Sequence, residues 1–209
     1  MSNTFIVTIS RQFGSLGRPI AIKLSELLGV NFYDRDIVEM TAKNLGLPVS
    51  AIKEHEEGLG GFGRMMFPLG RGAIETQDMI FNEQTKIIRD IADRESCIIV
   101  GRCSDFILGN EKNAMHIYIY ASYEDRLRNS IDVLRMSRDE AERMIKRVDR
   151  ARKAYHLHYA GYLPQDLSHH DLLLNSNLLG INGSAESLYK TICIRFGLKE
   201  EKDEKSSLL

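Results

Sequence analysis

Apolar positions along the chain change period repeatedly, and each change marks an element. Phe5-Ile-Val-Thr-Ile9 is a short β-branched run and predicts a buried strand. From Pro19 the spacing turns helical, with Ile20, Leu24, Leu27 and Leu28 on one face. Pro19 suits the first turn of that helix, where a missing N–H costs nothing. Between the two lies Gly14-Ser-Leu-Gly17, a loop able to turn sharply. Gly29 closes the helix, and Val30–Tyr33 predicts a second strand ending at Asp34. Asp36–Leu45 and Ser50–Glu57 predict two short helices, and Ala73–Arg94 a long one with Ile80, Ile87, Ile88 and Ile91 as its stripe. Between them, six glycines over Gly58–Gly72, with Met65, Met66 and Phe67, oppose regular structure and predict a mobile segment.

The second half repeats the alternation. Ser96–Val100 and Met115–Ala121 predict a third and a fourth strand, with a helix over Tyr123–Arg135. Ser137-Arg-Asp-Glu140 is a capping box that starts a helix running to Tyr159. Asp171–Asn175 predicts a fifth strand, and Ala185–Phe196 a last helix. The tail Lys199–Leu209, dominated by charge and serine, predicts fraying. Short apolar strands separated by helices imply a parallel sheet covered on both faces.

Composition narrows the class. The 209 residues, 43% hydrophobic and 27% charged, suit one soluble globular domain with a sizeable core. With 28 basic and 29 acidic side chains the net charge is -1, so no global positive field argues for a nucleic-acid polymer or a membrane surface as partner. Cys97, Cys103 and Cys193 form no C-x-x-C pair, which opposes a disulfide framework or a zinc cluster; Cys97 and Cys103 are simplest as small buried hydrophobes. Neither a secretory leader nor an apolar run of ~20 residues is evident, so a cytoplasmic location is expected.

Candidate chemistry centres on the first strand–loop–helix. That geometry aims backbone N–H groups and the positive end of a helix at an anion. Against the phosphate-loop signature G-x-x-x-x-G-K-[ST], the window Gln12–Pro19 keeps Gly17, has Arg18 for the lysine, Gln12 for the first glycine and Pro19 for the hydroxyl residue. Arg18 retains the charge as a planar fork rather than a point, and Pro19 offers no hydroxyl to Mg²⁺. From these residues alone, a glycine-containing turn without a ligand stays open. Arg102 follows Gly101 at the carboxyl end of the third strand, the edge where open α/β sheets bind ligands, or it caps the next helix. Asp149 and Arg152 are three apart on one helix face, so the acid is able to orient the arginine; the run Lys146–Lys153 is otherwise a solvated face. His156 and His158, two apart, point to different faces and make no metal pair, and His169-His170 is compatible with loop histidines.

With Ile9–Arg18, Phe32-Tyr-Asp-Arg-Asp36, Ile98–Asp105, Asp149-Arg-Ala-Arg152 and Asp171–Ser176, the chain resembles the cytidylate-kinase-like family over nearly all of residues 4–197. The resemblance implies a P-loop NTPase-type three-layer α/β/α domain over 1–198 with a five-stranded parallel sheet. It also implies a helical nucleoside-monophosphate-binding segment over 35–95, a lid over 136–165 and a disordered tail from 199. It implies ATP and Mg²⁺ as cofactors, with no direct protein metal ligand, and nucleotide substrates. Gly14, Ser15, Leu16, Gly17 and Arg18 would hold the donor phosphates, with Arg18, Arg152 and Asp149 serving catalysis. Asp34 (near Mg²⁺-bound water or the acceptor, or else a helix N-cap), Arg102 and Arg147 would bind substrate. Arg147 or Arg150 stands in for the lid's usual first arginine, a position occupied here by Ile145. Met65, Met66 and Phe67 would cover a base or clasp a second copy in a homo-oligomer. The implied activity is phosphoryl transfer from ATP to CMP, dCMP or a related acceptor. The alternatives are a regulatory nucleotide-binding module that has lost catalysis, and a kinase for a non-nucleotide metabolite.

Overall fold

In the computed structural model, which describes residues 4–52 and 71–199, the central strand is β1 (Ile6–Arg11). It is buried along nearly its whole length and is followed by the loop 12–16 and α1 (Gly17–Leu28). The chain continues through β2 (Asn31–Tyr33), α2 (Arg35–Leu45), α3 (Arg71–Arg94), β3 (Cys97–Val100) and the single turn α4 (Ser104–Ile107). Then come β4 (Ala114–Tyr120), α5 (Tyr123–Asp132), α6 (Arg138–Ala160), β5 (Leu172–Asn175) and α7 (Ser176–Phe196). Residues 49–52 are helical; the rest of the helix expected over Ser50–Glu57, the stretch 58–70 with Met65, Met66 and Phe67, and the tail from 200 lie outside the described residues.

All strand pairs are parallel, in the order β2-β3-β1-β4-β5. Alternation along each strand sends side chains to two cores. Val7, Ile9, Ile98, Val100, Ile117 and Ile119 meet α1 and α7 through Ile20, Leu24, Leu188 and Ile192. Ile6, Cys97, Ile99 and Ala114 meet α3 on the other face through Ile87, Ile88 and Ile91. The result is the expected three-layer α/β/α arrangement. The chain lays β2 and β3 on one side of β1 and then crosses to β4 and β5 on the other, so the carboxyl ends of β3, β1 and β4 frame the switch point where such sheets bind ligands.

Most boundaries shift by a residue or two from the pattern-based reading, and three of the differences have a local cause. β1 runs on to Arg11, because pairing with β4 continues to Arg11↔Ile119 and carries that arginine to the crevice. α5 stops at Asp132, and Arg135 takes a left-handed φ of 59° in the turn beyond it. α7 begins at Ser176, nine residues earlier than Ala185. Asn175 caps its first turn through Asn177 N–H (3.1 Å), and Gly180 (φ 64°, ψ -168°) breaks it into two helical pieces. Glycine tolerates that backbone, so a stretch reading as loop by composition holds one short helical segment and the start of the long one that runs to Phe196.

Candidate active site

The loop between β1 and α1 is braced from three sides. Gln12 Oε1 accepts Ala121 N–H (3.1 Å) and Gln12 N–H reaches Ile119 O (3.1 Å), so the residue in the first glycine's place ties the loop to β4. From α5, Asn129 Nδ2 donates to Gly14 O (3.0 Å) and Arg126 to Phe13 O (3.3 Å). From α6, the Asp149 carboxylate accepts Phe13 N–H (2.8 Å) and pairs with Arg126. Gly14 is obligatory here: its φ is +75°, and a Cβ would lie 2.7 Å from Arg126 O. Leu16 is left-handed as well (φ 58°), an uncommon state for a residue with a side chain and one that turns the chain into α1.

At the start of α1, Ile20 N–H makes the first intrahelical bond to Leu16 O (3.0 Å). The N–H groups of Gly17 and Arg18 precede it and have no partner within the helix, and both residues line the crevice at the positive helix end. Pro19 contributes no N–H.

The crevice wall is guanidinium. Arg18 Nε lies 2.8 Å from Asp34 Oδ2, Arg102 Nη1 2.9 Å from Asp34 Oδ1, and Arg11 Nη2 3.8 Å from the same oxygen. Asp34 precedes α2 but makes no side-chain cap; its carboxylate is given to the arginines. Burial pushes its pKa upward, and the charges of Arg11 and Arg102 with the Arg18 hydrogen bond outweigh that and hold it below the ordinary value. Arg102 also donates to Val100 O (3.1 Å) and stands on a backbone held left-handed at three consecutive residues, Gly101 (φ 77°), Arg102 (φ 56°) and Cys103 (φ 52°). Such local strain gathers at functional sites. Arg152 comes from α6 and donates to Arg11 O (3.1 Å).

Two clefts share this wall. One is lined by Gly14, Leu16, Gly17, Arg18, Pro19, Asp34 and Arg35; the other by Ser10, Gly101, Cys103, Tyr155, His156 and Pro164. Arg11, Arg102 and Arg152 line both. Beneath the second cleft, Asp105 and His156 are paired at 2.8 Å with both side chains buried, and the other imidazole nitrogen lies 3.0 Å from Tyr162 O. A carboxylate and a carbonyl oxygen both accept, an arrangement that favours the imidazolium with a proton on each nitrogen. Burial lowers its pKa, but the hydrogen bond and charge of Asp105 raise it further, to a net value above that of ordinary imidazole.

The sequence-predicted residues therefore separate. Gly14, Leu16, Gly17, Arg18, Asp34, Arg102 and Arg152 meet at the crevice. Ser15 is fully buried with its hydroxyl at 2.9 Å from Gln12 O and 3.2 Å from Ile119 O, so that side chain staples the loop. Asp149 serves the loop and Arg126. Arg147 is exposed on the outer face of α6 beside Arg143, Lys146 and Arg150, away from the crevice, because Ala141, Ile145 and Val148 take the inward face. Arg11 and Arg126 escaped the sequence reading. Arg11 obeys the strand-end rule that singled out Arg102, whereas Arg126 carried no local signal.

The sequence resemblance implies ATP with Mg²⁺, which needs oxygen donors beside the phosphates. Among the described lining residues of the loop cleft, Asp34 is the sole carboxylate, and guanidiniums engage both its oxygens. Pro19 stands where a hydroxyl ligand would be, and no group of three or more His, Cys, Asp or Glu residues among the described ones could hold a metal. These residues do not fit a protein-held divalent cation.

Fold and crevice together define a P-loop kinase-type α/β protein. Residues 6–178 match the cytidylate kinase-like family, and the chain belongs to it. Among solved structures, an uncharacterized protein from Eubacterium ventriosum superposes with a TM-score of 0.68 at 22% identity, covering 90% of this chain and 98% of the other. Shikimate kinase from Acinetobacter baumannii, in complex with shikimate, gives 0.52 at 14% identity over 91% and 94%. Shikimate kinase from Bacteroides thetaiotaomicron gives 0.54 at 11% over 90% and 98%. At these identities the likeness speaks for the fold. No curated protein matches the chain. Among the described residues, no helix is long and apolar enough to cross a membrane.

Proposed function

We propose that this protein is a kinase that moves the terminal phosphoryl group of ATP onto the phosphate of a nucleoside monophosphate, CMP or dCMP. The observation that carries the reading is the shared wall: Arg11, Arg102 and Arg152 line both clefts, at the junction a phosphoryl group would cross. Loop amides, the opening of α1 and Arg18 would bind the donor phosphates, and Arg102 and Arg11, which line both clefts, would hold the acceptor phosphate and also reach the donor's outer phosphates. An acceptor oxygen attacks the terminal phosphorus, its bond to the β-phosphate oxygen breaks, and ADP leaves. Charge spreads over the equatorial oxygens in that loose transition state, where Arg152 and its neighbours neutralise it.

The acceptor class has separate support. A monophosphate dianion brings no proton to remove, whereas an alcohol acceptor needs a base. His156, the imidazole lining the acceptor cleft, has both ring nitrogens engaged, by Asp105 and Tyr162 O, and Asp34 is held by guanidiniums. In this reading α6, within the 136–165 segment, is the lid.

The test is ADP release with ATP across CMP, dCMP, the other nucleoside monophosphates and shikimate. CMP- or dCMP-dependent release is expected. Turnover with shikimate alone would move the acceptor to the alcohols, and ATP binding without acceptor-dependent release would leave a nucleotide-binding module, a reading that Pro19 favours.

A further inference from the structure

The mismatch between this crevice and a divalent cation has a consequence for what the crevice binds. In P-loop proteins the loop hydroxyl and a carboxylate hold Mg²⁺ between the outer phosphates, and the metal neutralises the charge there. Here the hydroxyl position is Pro19, and the nearby Ser15 hydroxyl is committed to Gln12 O and Ile119 O. The carboxylate present, Asp34, holds Arg18 on one oxygen and Arg102 on the other. Around it, the lining of the loop cleft includes the guanidiniums of Arg11, Arg18, Arg35, Arg102 and Arg152.

Guanidiniums lining a cleft oppose a cation and favour an anion, and the side chains of Arg11 and Arg102 are 14% and 9% exposed, so water screens their charge little. Guanidiniums also bind phosphate oxygens through paired N–H donors, which a hydrated Mg²⁺ does not reproduce.

We propose that the crevice takes a polyphosphate as the metal-free anion, with Arg11, Arg18 and Arg102 doing the charge neutralisation that Mg²⁺ performs elsewhere. The ligand class is a nucleoside triphosphate or another linear polyphosphate bearing its full negative charge. A magnesium-chelated nucleotide, two charges less negative, is the poorer ligand. This rests on the kinase reading only in taking the crevice as the donor-phosphate site.

The experiment is calorimetric titration of the full chain with ATP, once in EDTA and once in excess Mg²⁺, repeated with inorganic tripolyphosphate. ATP is expected to bind in EDTA at least as tightly as in Mg²⁺, and tripolyphosphate to bind without metal. Arg102→Gln should weaken ATP binding in EDTA by about tenfold or more, the scale of one charge-assisted hydrogen bond. Binding of ATP at least about tenfold tighter in Mg²⁺ than in EDTA would overturn the inference and leave the kinase reading standing. No binding of ATP in either solution would overturn both.

Discussion

Gly101 shows how one residue type sets the geometry of the crevice. Its φ of +77° suits glycine, and a Cβ at this position would fall 2.1 Å from Arg11 Nη1. Gly101→Ala therefore strains the backbone and drives the Arg11 guanidinium off Asp34. We expect a stability loss of about 1–2 kcal/mol by urea denaturation, together with weaker ATP binding and weaker binding of the acceptor. Unchanged affinities for both would show that Arg11 does not serve the site. Residue-scale reading of the sequence located Arg18, Asp34 and Arg102, because strand-end and loop positions carry a local signal. It missed Arg11 because the apolar run was ended at Ile9, whereas pairing with β4 prolongs the strand by two residues. It assigned Ser15 to phosphate because a loop hydroxyl is indistinguishable in sequence from one that turns inward onto Gln12 and Ile119.

Among elements, α6 stands out because it reaches the loop 12–16, the cleft lined by Tyr155 and His156, and α3. Asp149 joins it to Phe13 N–H and Arg126, and Arg152 joins it to Arg11. Tyr159 stacks on Phe81 with ring centroids 3.8 Å apart, and Tyr155 donates to Gln84 Oε1 at 3.1 Å, so the helix also lies against α3. Asp149→Ala removes the brace and leaves the buried Arg126 with the Phe13 carbonyl. The expected cost is about 1–3 kcal/mol in chemical denaturation, accompanied by weaker ATP binding as the loop loosens. A loss below about 0.5 kcal/mol, the range of ordinary surface substitutions, would contradict the bracing role. The sequence placed Asp149 and Arg152 on one helical face correctly but paired them with each other. Spacing fixes which residues share a face, not what packs against that face. Arg147 illustrates the same limit: the basic run 146–153 reads as one patch, and the apolar residues Ile145 and Val148 decide which arginines turn away.

At the scale of the whole molecule, the parallel three-layer fold was legible because five apolar runs alternate with helical periods. The α7 start was not, because Asn, Gly and Ser in 175–184 mimic a loop. Long-range polar pairs left no sequence signal, and the buried Asp105–His156 pair, 51 residues apart, is the clearest case. It gives stability a pH dependence of defined sign. His156 titrates above its ordinary 6.5 in the folded state, so its contribution is complete below 6.5 and disappears as pH rises through the raised value. For Asp105, burial raises the pKa but the hydrogen bond and charge of His156 outweigh it, so it falls below 3.8. The Asp105 contribution is complete above 3.8 and disappears as pH falls through the lowered value. Urea midpoints of wild type and His156→Gln should therefore differ most between 3.8 and 6.5. The wild-type advantage should shrink above that window; an advantage that grows with pH would mean a neutral imidazole.

The central claim is that the crevice at the start of α1 holds a polyphosphate through loop amides and the Arg18 guanidinium. Titrating ATP into wild type and Arg18→Ala, with circular dichroism to show that both are folded, tests it most directly. The account predicts saturable one-site binding to the wild type and affinity for the variant weaker by about tenfold or more. Equal affinity of the two proteins, or no binding to the folded wild type, would contradict it.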